Sequence, residues 1–235
     1  MCTVSYLPKN DGCLISSNRD EASERASALA PLAYDHFGER VLYPKDPVGE
    51  GTWIAASDKA VVCLFNGAFK PHVRKASYRV SRGIVPISFF NYLNIDAFIK
   101  SFNFNGIEPF SLIIFHGHKL TELKWDETKI HRIEHDPAKP HIWASATLYS
   151  PEVVSQRKLW FNEWLEADPV FTQESIMSFH SSRKGDHQNG LFINRENGLK
   201  TVSVTSVHFS VNQESSMTYH DLKANHQTTE NLCAK

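Results

Sequence analysis

No apolar run in the sequence approaches the roughly 18–20 residues that a membrane-spanning helix requires. The longest are Ala60 to Phe65 and Phe110 to Phe115, lengths that suit buried strands. Charge of one sign is also missing. The 25 basic and 26 acidic residues leave a formal net charge of −1. That balance gives no bulk attraction for nucleic acid or anionic lipid, while leaving room for a local basic patch. The N-terminus lacks a basic leader followed by an apolar stretch, so no secretory signal is expected. Cys233-Ala234-Lys235 stops one residue short of a prenylation box. These absences make a cytoplasmic protein the expectation. Cysteine is scarce: Cys2, Cys13, Cys63 and Cys233 lie far apart with no Cys-x-x-Cys pair. Free thiols are expected, with neither a disulfide frame nor a zinc cage. Histidines are scattered. His116 and His118 would share a strand face, but no third ligand follows at metal-site spacing, so no metal is expected.

What remains is ordinary globular composition, with 41% hydrophobic and 22% charged residues in 235. The chain is long enough for one sizeable core. Without repeats, low-complexity tracts or a linker, it reads as one domain over residues 1–222 and a polar, frayed tail over 223–235.

β-formers at Cys2 to Leu7 and Cys13 to Ser17 flank Pro8-Lys9-Asn10-Asp11-Gly12, a turn-rich cluster that predicts a hairpin. A second hairpin is expected at Thr52 to Ala56 and Ala60 to Ala68. From Ala22 to Asp46 the pattern weakens and predicts long loops. Ile84 to Leu93 and Ile95 to Phe102 read as helices meeting near Asn94, a capping residue. Phe110 to Phe115 and Leu120 to Trp125 read as strands turning at Gly117, followed by strands at Lys129 to Glu134 and His141 to Thr147. Pro151 opens the clearest helix, with a broad apolar stripe, and Thr172 to His180 reads as another. Strands are expected at Leu191 to Asn194, Thr201 to Phe209 and Ser216 to Leu222, with a tight turn at Glu196-Asn197-Gly198. This order of strands, helices and strands predicts an α+β fold with sheets covered by helices.

The first hairpin carries the chemistry. Pairing Leu7 near Gly12 or Cys13 places Cys2 opposite Ser17 or Asn18, with Arg19 and Asp20 emerging beside the chain terminus. Initiator methionine is normally removed before a small residue such as cysteine. The mature chain would then begin with a thiol and a free α-amino group on one residue. A model amine titrates at about 7.7–8.0 and a thiol at about 8.5, so the amine can serve as general base without a histidine. Arg19 would favour the thiolate and Asp20 would hold the amine and the arginine. The plain alternative is a chance Met-Cys start and a solvated charged turn.

Met1-Cys2-Thr3 followed by Asn18-Arg19-Asp20-Glu21 resembles the opening of the NRDE family, also called the transport and Golgi organisation 2 family. Gly51-Thr52-Trp53-Ile54-Ala55, Leu64-Phe65-Asn66-Gly67, Ser81-Arg82-Gly83 and His141 to Thr147 resemble later family segments, so the likeness runs to about residue 210. It implies an N-terminal-nucleophile (Ntn) hydrolase-type αββα sandwich, two antiparallel sheets covered by helices, distantly similar to penicillin V acylases and bile salt hydrolases. By the same resemblance Cys2, Arg19, Asp20 and Asn66 are the expected catalytic residues, with the Asn66 amide as an oxyanion donor. An Asx-type turn before Gly67 is the other possibility for Asn66. Asn18, Trp53, Ser145 and Thr147 are the expected substrate contacts, and Trp53, Phe65, Phe69 and Trp143 could form an apolar pocket. Two departures stand out. Ala146 replaces an asparagine of other members, so a donor is lost or supplied by Ser145 or Thr147. The late arginine of the acylases has no clear counterpart, Arg195 being a poor match.

The implied activity is hydrolysis of a linear amide C–N bond in a small molecule, without a cofactor. The competing expectation is a non-catalytic protein that binds or moves haem, or lipid and acyl-CoA, on the same fold; Cys2 or a histidine would then ligate the iron. Neither expectation involves nucleic acid or integral membrane association, and oligomeric state is left open.

Overall fold

A computed structural model describes residues 3–36 and 38–232. Cys2 and Cys233 lie outside the described residues. Chain order begins with β1 (Thr3–Lys9), β2 (Gly12–Ala22), β3 (Leu29–His36), β4 (Glu39–Lys45), β5 (Ile54–Ala56) and β6 (Ala60–Asn66). Two short helices follow, α1 (Ile84–Phe89) and α2 (Ile95–Ser101). After β7 (Phe110–His116), β8 (Lys119–Trp125), β9 (Ile130–His135) and β10 (His141–Ala144) come α3 (Pro151–Glu166) and α4 (Gln173–Ser181). The last strands are β11 (Leu199–Ser210), β12 (Ser215–Asp221) and β13 (His226–Leu232).

The strands form two antiparallel sheets, one in the order β10-β1-β2-β11-β12-β13 and the other running β3 to β9 in sequence order. Tyr6 and Phe209 of the first sheet meet Phe115 of the second at ring-centroid distances of 5.9 and 5.6 Å, which fixes the inner faces. On the outer face of the first sheet, Leu7 and Leu14 pack beneath Phe161, Ile176 and Phe179 of α3 and α4. On the second sheet, Phe110 and Trp125 take Phe104, which in turn meets Phe98 of α2. Helices therefore cover both outer faces, as expected for an α+β sandwich. Fully burying each large apolar side chain is worth about 1.5–3 kcal/mol, so the three apolar interfaces between the four layers hold the sheet ends in fixed relation. Among the described residues, no helix is long and apolar enough to cross a membrane.

Local signals worked where they were strong. Asn94 caps α2 through Ala97 N–H, Ser150 caps α3 ahead of Pro151, and Thr172 and Ser175 form a capping box on α4. Gly117 and His118 both have positive φ and make the turn between β7 and β8.

Several expectations are corrected. The first hairpin turns on Asn10-Asp11 alone, so Leu7 pairs with Leu14 and Thr3 with Asn18. Pro8 stays in β1 because it lies beyond the last β10 pair, Tyr6 with His141. Residues 22–46 hold β3 and β4, not long loops. β3 ends the second sheet and is largely exposed, so its residues need not alternate. Leu191 to Asn194 forms no strand, only a single bridge from Asn194 to Lys200. The stretch after Leu222 is not frayed: His226–Leu232 pairs with β12 along its length. Asp221 accepts from the N–H groups of Lys223 and Ala224, and Asn225 takes positive φ, closing a tight turn. An edge strand wet on both sides has no apolar period to reveal it.

Candidate functional site

Strand β2 is long and almost wholly buried, from Gly12 to Asp20. Side chains alternate across a strand, so consecutive residues of Asn18-Arg19-Asp20-Glu21 go to opposite sides of the sheet. Arg19 and Glu21 reach a cavity of about 530 Å³. Asn18 and Asp20 face the helix layer.

On the cavity side, Arg19 is 4% exposed and donates to Asp46 Oδ2 at 2.8 Å. Its guanidinium carbon lies 5.0 Å from the Trp53 ring centroid. Asp46 also receives Arg25 and the N–H groups of Val48 and Gly49. Burial opposes ionisation of Asp46, but those N–H groups and the two arginines outweigh it and hold its carboxyl below the usual range. Gly51 lets the cavity wall close, since a Cβ there would lie 2.3 Å from the Gly83 carbonyl carbon. Thr52 N–H donates to Gly83 O at 2.8 Å across the same approach.

Asn66 ends β6 and lines the same cavity. Its side-chain amide forms no hydrogen bond among the described residues, so no Asx-type turn is made. Its backbone is held instead. Ser145 Oγ donates to Asn66 O at 2.9 Å and pairs with Thr147 Oγ1. Gly67 adopts φ +81°, and a Cβ would meet Thr147 Cγ2 at 2.7 Å. Ser145 and Thr147 thus stand behind Asn66 and fix it, rather than lining the cavity. Ala146 offers no side-chain donor.

The helix-facing side differs. Tyr149 and Thr201 hydroxyls donate to Asp20 at 2.8 and 2.6 Å. Asn18 Nδ2 donates to the carbonyls of His180 and Leu191. That orientation points Asn18 Oδ1 at His180 Nδ1, so Nδ1 carries the proton and Nε2 accepts from the Ser5 hydroxyl at 2.7 Å. Burial, helped by the Arg157 charge, pushes His180 down to about 3. Arg157, fully buried in α3, stacks 3.7 Å from the Tyr149 ring centroid and donates to Thr3 Oγ1 and Gly190 O.

The structure therefore brings Arg19, Trp53 and Asn66 together around one cavity, with Ser145 and Thr147 adjoining, and sets Asn18 and Asp20 apart from it. The expected pocket of four aromatics is corrected. Phe65 and Trp143 border a second cavity of about 470 Å³ and Phe69 is 55% exposed, leaving Trp53 alone beside Arg19. Arg195 is spent on the carbonyls of Gln188 and Leu148. Asp46, Arg157 and His180 were missed. Arg157 and His180 each carried a signal, since both fall on the buried stripe of an amphipathic helix among Phe161, Ile176 and Phe179.

With this geometry in place, comparison with known families gives a match. The family model for Transport and Golgi organisation 2 matches residues 1–224, and the chain belongs to that family. No curated protein matches.

Proposed function

We propose that this protein is an N-terminal-cysteine hydrolase of linear amides, with Cys2 as nucleophile once Met1 is removed. The observation that carries the proposal is the Asn66 amide, unpartnered among the described residues and bordering the cavity that Arg19 also lines. A donor held by its backbone and left free at its side chain suits an oxyanion that exists only during reaction. Thr3 pairs with Asn18, the neighbour of Arg19, so the described chain starts at this end of the sandwich.

The Cys2 thiolate adds to the amide carbonyl carbon, its proton having passed to the α-amino group. Asn66 Nδ2–H donates to the oxyanion. Collapse breaks the C–N bond, the departing amine takes the proton back, and a thioester remains. Water then adds to the thioester and releases the acid and the thiol. Arg19, fixed by Asp46, contributes positive charge beside this end of β2, and Asp20 orients the strand through Tyr149 and Thr201.

The test is brief thiol labelling at about pH 6.5 followed by intact mass and peptide mapping. Burial pushes Cys63 up to about 12 and Cys13 well above its usual value, so both should stay unlabelled in the folded protein. Loss of Met1 with rapid labelling at Cys2, and loss of turnover in Cys2→Ala, is the expected result. Retention of Met1, or turnover surviving that substitution, removes the nucleophile. Ligand binding without any thioester would instead favour the binding-protein alternative.

A further inference from the structure

The chain as a whole is neutral to within one charge, yet the cavity beside Arg19 is not. Among the described residues its lining holds six cations against three carboxylates. Those carboxylates are already engaged. Asp46 takes Arg19 and Arg25, Glu21 lies near the same two arginines, and Glu108 takes Arg82 at 3.2 Å. Lys75 reaches out of the cavity to Glu127. Two arginines remain without a carboxylate. Arg79 spends Nε and Nη2 on the backbone carbonyls of Asn105 and Asn103, which satisfies donors but leaves the charge. Arg74 forms neither an ion pair nor a hydrogen bond among the described residues. It lies close enough to Arg82 that its like charge, after burial, lowers the Arg82 pKa. Trp53, another lining residue, keeps a buried indole N–H without an acceptor among the described residues.

Unbalanced cations around a concave space raise the local concentration of anions, and guanidinium groups bind carboxylate and phosphate oxygens with paired donors. We infer that this cavity binds a small molecule bearing two negative charges, as carboxylates or as phosphate, held by Arg74 and Arg79. Its reacting amide lies toward Asn66. That orientation rests on the hydrolase proposal, whereas the anion site does not. The substrate class is then an acidic amide whose charged end sits on the Arg74–Arg79 wall while its carbonyl reaches β6.

Calorimetric titration of the Cys2→Ala chain with inorganic pyrophosphate, and separately with glutarate, tests this without requiring turnover. At least one probe should bind, and added sodium chloride should weaken it. The double variant Arg74→Glu/Arg79→Glu should lose at least about tenfold in affinity, the scale of one charged hydrogen bond, while staying folded and melting lower only by the loss of the two Arg79 hydrogen bonds to carbonyls, a shift that Arg79→Gln reports separately. Lys119→Glu, at the start of β8 opposite His116 and so beside the end of β7 far from the cavity, should bind as the parent does. Binding of pyrophosphate alone would name phosphate as the anion, and of glutarate alone, carboxylate. Failure of both probes to bind, or equal weakening by Lys119→Glu, overturns the inference. A chain that binds but never hydrolyses would sink only the reaction.

Discussion

The two sides of β2 hold equally polar residues and use them in opposite ways. Toward the helices, Asn18 and Asp20 are sealed in a network with Ser5, Tyr149, His180 and Thr201, and Arg157 closes it against Thr3. Toward the cavity, Arg19 is anchored, but the nearby Asn66 amide and the Arg74 guanidinium are unpartnered among the described residues. A buried network whose polar groups are nearly all partnered, the Arg157 Nε excepted, stiffens a fold, whereas donors left free in a concave site are met by water until a ligand binds there. Four consecutive residues that read as one cluster in sequence are thus divided between holding the strand and meeting a ligand. Substitutions on the first side should cost stability, and those on the second should cost function.

The largest effect is expected at Arg157. Arg157→Ala would empty a fully buried site, strip donors from Thr3 and Gly190, and remove the nearer of two guanidinium groups over the Tyr149 ring. The cost should be roughly 3–5 kcal/mol, the range for large-to-Ala changes in a core. Melting would fall by roughly 10 °C for a chain of this size, a shift that calorimetry reads directly. A stable Arg157→Ala protein would mean that the helix side is not a sealed network. Asn66→Ala makes the converse test. Turnover should fall by the equivalent of about 3–4 kcal/mol, as for a lost oxyanion donor, with stability within about 0.5 kcal/mol of the parent. A large stability loss with kcat/KM intact would move Asn66 to the structural side.

Much of this arrangement was legible in the sequence, because it depends on period and punctuation. Runs of β-formers around turn residues gave both hairpins flanking the site, and Asn94, Pro151 and Thr172 marked helix starts through capping chemistry that acts within three residues. Asn66 was identified through the family resemblance, which matches it to an oxyanion asparagine after the second hairpin. What sequence hid was sidedness. Reading Asn18-Arg19-Asp20-Glu21 as one catalytic cluster overlooked that β2 continues through it, and a strand separates neighbours that a turn would gather. Arg157 and His180 were hidden for another reason. A cation or imidazole on a helix is usually solvated, and only burial by a second layer makes it structural. The edge strands β3 and β13 were missed because partly or fully wet strands carry little hydrophobic period.

Asp20 is where the comparison can be broken most cleanly. Both of its oxygens accept hydroxyl protons, from Tyr149 and Thr201. Asp20→Asn keeps the shape but replaces one acceptor with a donor, so one hydroxyl loses its partner. A loss of about 1–3 kcal/mol is expected, seen as a lower urea midpoint, with any remaining activity reduced only in proportion to folded protein. Collapse of turnover at full stability would return Asp20 to the reaction itself.

The smallest predicted effect tests how dry the helix side is. His180 is held neutral by burial and by the Arg157 charge down to about pH 3, while its ordinary value is 6.5. Between those values the unfolded chain binds a proton that the folded chain refuses, so stability rises with pH through this window and is lost on acidification below 6.5. At pH 5.5 the loss from this residue should be about 1.4 kcal/mol, one pH unit below the unfolded value. His180→Gln removes the titrating group, whereas the other histidines and carboxylates titrate alike in both proteins and cancel in the difference. Urea midpoints at pH 7 and pH 5.5 should therefore converge between parent and variant as pH falls. Parallel slopes would mean that His180 takes up its proton in the folded state, and the helix side would then be as open to water as the cavity it is contrasted with.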